Sequence, residues 1–589
     1  MNEQELNMYN IKLYNKNIHN DLDNPQYSNL QKIIYSNRVH DHNDMDKYLD
    51  NKLDLVKDLY TLKDVDKAGE LIASRITKKS YICLVTDKDS DGICSAAVLY
   101  KSMQGIFGLI PDKDFKTFIA KRSEGNGITA KLLERILTHH NTVHRIDVII
   151  TADHASSDEY AISKLVEAGI EVVVTDHHEV PIGNYPKSAT VFVNNQREDS
   201  HYSKNVSGCF VAFLTMLATY DKLYGSIDMN KFNFLLPYVA LTTISDVMSL
   251  ADPLNRKVVR VGLKEMNSLR DPLWYTLKGL LGINTHIDST EIGFKIAPLI
   301  NTANRVGFED LSFELLIAES KEEIATITKQ LLKLSTGRKE EQKKIYILAE
   351  QQMLDLPYKN SIVLDLESNL AINGIIAGQI GETNNKPTVC FISAPGDKII
   401  AGSARGINPD FDVVEAFRNI AEEDSTILVK YGGHKQAAGC TVYKDKLEDF
   451  RRLFDKYVYV QLKDHKPVNH IYVDAYIPSK DITPALVKDI SKLEPYGKDW
   501  HYPTFVSILK IKYIRLFGNM VMLTFKTIDT NREISGIYFF NKNSKYDKHT
   551  LLDNLDTNKP VVVVYKPYNN NFNNVTNLQL NVVDITNKE

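Results

Sequence analysis

The sequence predicts an α/β protein of several modules: a parallel-sheet domain, a long connecting helix, a second α/β module and a C-terminal all-β barrel. Three observations carry that expectation. Continuous β-branched runs alternate with helical segments between residues 81 and 176, a charged stretch with helical spacing follows residue 318, and short strands punctuated by Asn, Asp and Gly turns fill the chain from about Ile471.

The first 55 residues are rich in Asn, Asp, Lys and Tyr and are expected to form a partly ordered arm with no assignable chemistry. In the first domain, 56–317, the runs Tyr81–Thr86, Asp147–Ala152 and Glu171–Thr175 read as strands buried on both faces. Gly92–Gln104 and Asp158–Ala168 read as the intervening helices. Ile324, Ile327, Leu331 and Leu334 keep helical spacing, which predicts a connecting helix over 318–356 that Pro357 stops. Strands at Ser361–Leu366 and Thr388–Ser393 open a second α/β module over 357–464. The remaining 465–589 reads as a barrel of the OB type. There Lys498, His501, Lys510, Lys512 and Arg515 lie among Trp500, Tyr502, Phe505 and Tyr513. Those rings serve either as a stacking platform for single strands or as the barrel's own core.

At 589 residues the chain is too long for one core, and roughly three or four domains are expected. Hydrophobic content of 43%, charged content of 25% and a net charge of −4 are those of a soluble protein without a global basic signal, so any nucleic-acid surface must be local. The five cysteines have neither zinc-ligand nor redox spacing, which points to a reducing compartment. Residues 1–30 lack the apolar core of a leader, and no segment approaches the roughly 18 apolar residues of a membrane span. A cytoplasmic protein with no membrane partner is expected.

Each of the three strands ends on acid: Asp87, then Asp153, then Asp176 with His177 and His178. Carboxyl ends of parallel strands share one crevice, so these residues, with Asp89 and Asp91, can converge. Carboxylate and imidazole without thiolate suit Mn2+ or Mg2+ better than structural zinc. Two such ions would stabilise a phosphoryl group and activate water, which implies phosphoester hydrolysis. Gly92 permits a tight turn into a helix whose free amides favour anions. Asp246 ends the apolar run Leu236–Ile244 and could complete the site, although alone it reads as the N-cap of the next segment. Gly402–Arg405 and Gly432–His434 are small-residue turns suited to phosphate.

Taken together, Asp87-x-Asp89-x-Asp91-Gly92, Asp153, Asp176-His177-His178 and Thr243-Ile-Ser-Asp246 resemble the four motifs of the DHH phosphoesterase superfamily. Arg122-Ser-Glu124-Gly125-Asn-Gly127, Asn255-Arg256, Pro298-Leu-Ile-Asn301-Thr-Ala-Asn-Arg305, Gly402-Ser403-Ala-Arg405, Gly432-Gly433-His434-Lys-Gln-Ala-Ala-Gly439 and Glu494-Pro495-Tyr496-Gly497 resemble its RecJ branch. The similarity runs from about Val56 to residue 585.

The resemblance implies a DHH catalytic domain, a DHH-associated domain and an OB-fold. It also implies a 5′-to-3′ exonuclease of single-stranded DNA using two Mn2+ or Mg2+ ions, in repair, recombination or replication. By the same resemblance Asp87, Asp89, Asp91, Asp153, His177 and Asp246 are metal ligands, with Asp153 bridging, and His178 orients the site or meets phosphate. Arg122, Asn301, Arg305, Ser403, Arg405, Gly433 and His434 would bind substrate. A single-strand-binding protein or a helicase is the implied partner of a monomer. Asn126, Asn304 and Lys498-Asp-Trp500 depart from the pattern. The alternatives are a phosphodiesterase for short oligonucleotides or cyclic dinucleotides, and a catalytically silent replication scaffold. The barrel and the complete set of acids favour a polymer hydrolase.

Overall fold

The computed structural model describes residues 3–14, 25–39, 45–50, 53–180, 185–268, 270–368, 372–393, 396–463, 470–518, 520–540, 555–572 and 575–588. The first domain is built on parallel strands β1 (Ile82–Thr86), β2 (Phe115–Ile119), β3 (Val148–Ala152), β4 (Glu171–Asp176) and β5 (Val191–Asn194), in the order β2-β1-β3-β4-β5. Every residue of β1 and of β3 is buried, as their unbroken apolar runs require. The chain leaves β1 for β2 on one side and returns to β3 on the other. The resulting switch point opens a crevice between the carboxyl ends of β1 and β3.

Helices α1 (Ser90–Lys101), α2 (Glu159–Glu167), α3 (Gly208–Tyr224), α4 (Leu236–Ser245) and α5 (Ala297–Val306) surround this sheet. Helix α6 (Lys321–Leu354) is continuous over 34 residues. Its first half buries Ile324, Ile327 and Leu331 against the first domain, and its second half buries Ile345 and Ala349 against the next. That next module is a mixed sheet of β6 (Ile362–Glu367), β7 (Thr388–Ser393), β8 (Ile399–Arg405), β9 (Leu428–His434) and β10 (Ala437–Tyr443), in the order β9-β10-β8-β7-β6. The C-terminal strands β11 (Phe505–Phe517), β12 (Met520–Thr527), β13 (Glu533–Phe539), β14 (Pro560–Phe572) and β15 (Val575–Asn587) form a barrel, closed where β11 pairs with β14. Among the described residues no helix is long and apolar enough to cross a membrane.

The N-terminal segment is not a loose arm where it is described. Ile11–Leu13 pairs in parallel with Ile471–Val473, and the helix Asn29–Ser36 buries Ile34 and Tyr35 completely. Its polar residues find partners at the barrel end of the chain. Ser28 and Gln31 reach Asp489, and Arg38 donates to both Asp474 oxygens at 2.6 and 3.0 Å. One hydrophobic core therefore runs from Ile34 to Ile585, joining this segment, the first domain and the barrel. The second α/β module keeps cores of its own.

The barrel rings divide between buried and exposed positions. Trp500 and Phe505 are fully buried, whereas Tyr513 is exposed. Tyr502 donates its hydroxyl to the Pro567 carbonyl at 2.6 Å. Trp500 is held by Arg256, also fully buried, whose guanidinium lies 3.6 Å from the ring centroid. The same guanidinium donates to the carbonyls of Tyr48, Leu493 and Pro495 at 3.2, 2.8 and 3.0 Å. The ring is core because a buried cation needs these acceptors and a π face beside it.

Candidate active site

The crevice at the switch point has a volume of about 870 Å³. Asp87, Asp89, Asp153, His178 and Asp246 line it from the first domain, with Arg122, Asn301 and Arg305, and Lys430 and Gly433 face it from β9 of the second module. Asp89 caps α1, its Oδ1 accepting from the amides of Asp91 and Gly92 at 3.0 and 3.2 Å. Gly92 is required by close approach, since a Cβ there would lie 2.3 Å from the Asp87 carbonyl oxygen. Asp91 accepts from the amides of Gly208 and Cys209, at 2.7 and 2.9 Å, where α3 begins.

Two groups of acids meet around His177. Asp91, His177 and Asp246 can each offer an atom to a shared position, as can Asp87, Asp89 and Asp153. The His177 Nε2 lies 3.2 Å from Asp153, 3.6 Å from Asp91 and 3.7 Å from Asp246. Its Nδ1 donates to the Val206 carbonyl at 3.0 Å, which aims Nε2 at the acids. Asp153 is 2% exposed with its Oδ1 unpartnered, and its backbone is held at φ +63°. A strained buried acid with an orphaned oxygen among other carboxylates is unfavourable until a cation fills the gap. The donor set thus fits divalent metal.

The charges tell the same story. Burial, with the Asp87 and Asp91 charges, pushes Asp89 up to about 6. Burial, with Asp91 and Asp89, pushes Asp246 up to about 8, and the Asp153 carboxyl is driven well above its ordinary range. These acids hold protons that a divalent ion must displace. Mn2+ affinity is therefore expected to rise as pH goes from about 6 to about 8, with proton release. Calorimetry in buffers of different ionisation enthalpy measures this, and a pH-independent affinity would contradict it. Because the folded values are raised above the ordinary carboxylate value, metal-free stability should fall as pH rises from about 4 to about 8.

Asp176 does not join the cation ligands. It is buried at the end of β4, where it accepts from the amides of Ser156, His177 and His178 and lies 2.8 Å from the His178 Nδ1. Burial alone would raise it, but those bonds and the histidine charges hold it well below the carboxylate range. Burial alone would lower His178, but Asp176 lifts it to about 9, so it faces the crevice as an imidazolium. Asp246 is the C-cap of α4, and the next helix is capped by Asp252 instead. The N-cap expectation fails because α4 carries Asp246 to the crevice at its own carboxyl end.

The substrate set is brought together unevenly. Arg305 has its pKa lowered to about 10 by burial and by the charges of Arg122, Arg338 and Arg405, so these guanidiniums share one field. Both amide atoms of Asn301 engage Ser90, Oδ1 accepting from its amide at 3.0 Å and Nδ2 donating to its hydroxyl at 3.3 Å. This residue therefore positions the acidic turn. Arg405 donates to the Ser403 hydroxyl at 3.1 Å. Gly433, at φ +140°, admits no side chain because a Cβ would lie 2.5 Å from the Ala438 Cα. His434 is 75% exposed and stands 4.0 Å from Glu179. The sequence reading missed Lys88, Arg338, Lys430 and the amides of Gly208 and Cys209. Only Lys88 had a local signal, its place inside the acidic motif.

Three family descriptions match in the order of the modules: DHH family, N-terminal domain, over 81–237; DHHA1 domain over 359–459; and RecJ OB domain over 473–584. The chain belongs to the DHH family and carries the RecJ set of domains. The single-stranded-DNA-specific exonuclease RecJ of Thermus thermophilus is 28% identical over 471 residues, covering 80% of this chain and 65% of that protein. RecJ of Haemophilus influenzae is 25% identical, covering 80% and 82%. In structure, RecJ of Thermus thermophilus in complex with Mn2+ superposes with a TM-score of 0.76 at 24% identity, covering 96% of this chain and 76% of that one. An exonuclease RecJ bound to manganese gives 0.56 at 26% identity over 70% of this chain. The first of these two structures shares the fold described above, the barrel included.

Proposed function

We propose that this RecJ-type chain is a metal-dependent exonuclease that degrades single-stranded DNA from its 5′ end. The convergence of six prospective ligands, Asp87, Asp89, Asp91, Asp153, His177 and Asp246, at one crevice between two modules carries the reading. The activity borne by the names of the relatives, and the Mn2+ in the matched structures, support it. Bound Mn2+ or Mg2+ would neutralise phosphoryl charge and activate water.

The chain's own residues do the rest. Asp153 joins the two acid groups, and Asn301 holds the turn that carries Asp89. The His178 imidazolium, fixed by Asp176, donates to a phosphate oxygen. Arg122, Arg305 and Arg405 draw the terminal phosphate to one end of the crevice, and β9 closes it from the other side. On the same reading the protein works in the cytoplasm as a monomer, beside a single-strand-binding protein or helicase.

Digestion of a long single strand labelled at either end, with Mn2+, Mg2+ or chelator, tests this. Immediate metal-dependent release of the 5′ label alone is expected. Hydrolysis of dinucleotides with intact long strands would overturn the substrate, and hydrolysis of neither would overturn the enzyme.

A further inference from the structure

Lys88 stands between two prospective ligands and is 6% exposed. Its Nζ is held by three acceptors from two segments: the Asp87 carboxylate at 3.3 Å, the Gly125 carbonyl at 2.8 Å and the Asn126 Oδ1 at 2.8 Å. Gly125 and Asn126 belong to the loop that carries Arg122. The ammonium therefore ties that loop to the acidic turn, with its charge fixed against one ligand of the Asp87, Asp89 and Asp153 group.

We propose that Lys88 is a built-in cation that makes the Asp87–Asp89–Asp153 position bind a divalent ion more weakly than the Asp91–His177–Asp246 position. This rests on the metal reading of the site given above. A resident cation and an incoming ion compete for the same carboxylate charge, and with Lys88 buried and Asp87 only a fifth exposed that competition is weakly screened by solvent. The other position meets weaker opposition. The Lys498 charge acts on Asp246 from an exposed side chain, and the charge of His178 is offset by its bond to Asp176. Asp91 is instead held by the neutral amides of Gly208 and Cys209. The ions should thus load in order, the second arriving only at higher concentration. Lys88 is a positioning residue toward the metal, because it acts through Asp87 and the Arg122 loop.

Titration of the full chain with Mn2+, following free ion by electron paramagnetic resonance, tests the proposal without reference to activity. The natural chain should show two steps separated by roughly tenfold or more in affinity. Lys88→Met should tighten the weaker step by roughly tenfold and leave the tighter one within about threefold, while Lys88→Arg keeps the natural pattern. Two indistinguishable steps in the natural chain would overturn the proposal whether or not the variants fold. A weaker step that Lys88→Met leaves unchanged would overturn it as well. Absence of any Mn2+ binding would reject the metal reading itself, a result distinct from both.

Discussion

Asp153→Asn should lower hydrolysis of single-stranded DNA by roughly a thousandfold or more while leaving the metal-free protein at least as stable as the natural chain. The two halves of this expectation have one cause. Asp153 is buried, bent into the left-handed region and repelled by Asp91, Asp89, Asp87 and Asp246. An amide of the same shape removes the repulsion, yet it offers a far poorer oxygen to a cation. Thermal unfolding with and without Mn2+ separates the effects. The natural chain should gain Tm on adding the ion, and the variant should begin no lower and gain much less. Undiminished hydrolysis, or a variant that unfolds early without metal, would mean that Asp153 serves the fold instead.

Arg256→Ala should cost about 3–5 kcal/mol of stability and loosen the barrel from the first domain. The substitution removes the guanidinium donor from the carbonyls of Tyr48, Leu493 and Pro495, leaving Leu493 only the Trp500 indole N–H, and uncovers the face of Trp500. Lysine cannot replace it, because its ammonium lacks the planar fork that lies on the indole while reaching carbonyls on three sides. Denaturant unfolding followed by tryptophan emission gives the readout, since the chain has two tryptophans and both are buried. A red shift preceding global unfolding is expected, and an unchanged transition would contradict the role given to Arg256.

The candidate site was legible in the sequence because its acids sit at the ends of strands that are themselves conspicuous. Ile82–Thr86 and Val148–Ala152 are too apolar and β-branched to be anything but buried strands, and the acids follow directly. What stayed hidden was supplied from far along the chain. Asp91 is held by Gly208 and Cys209, and Trp500 is buried by Arg256, neither of which leaves a local pattern. Lys88 was visible but misleading, since a lysine among acids ordinarily reads as solvated. The N-terminal segment looked inert for a related reason. Its Ser28, Gln31, Asn37 and Arg38 are polar because their partners are Asp489 and Asp474, not because they face water.

That last arrangement bears on how the molecule is made. Ser28 and its partner Asp489 are 461 positions apart, and Ile11–Leu13 finds its neighbouring strand at Ile471–Val473. At roughly 5–20 residues per second, the ribosome needs about half a minute to a minute and a half to deliver that partner. Throughout that interval Ile34 and Tyr35, which end up fully buried, have no barrel to cover them. This segment therefore finds its place only after the residues 461 positions further along have been made.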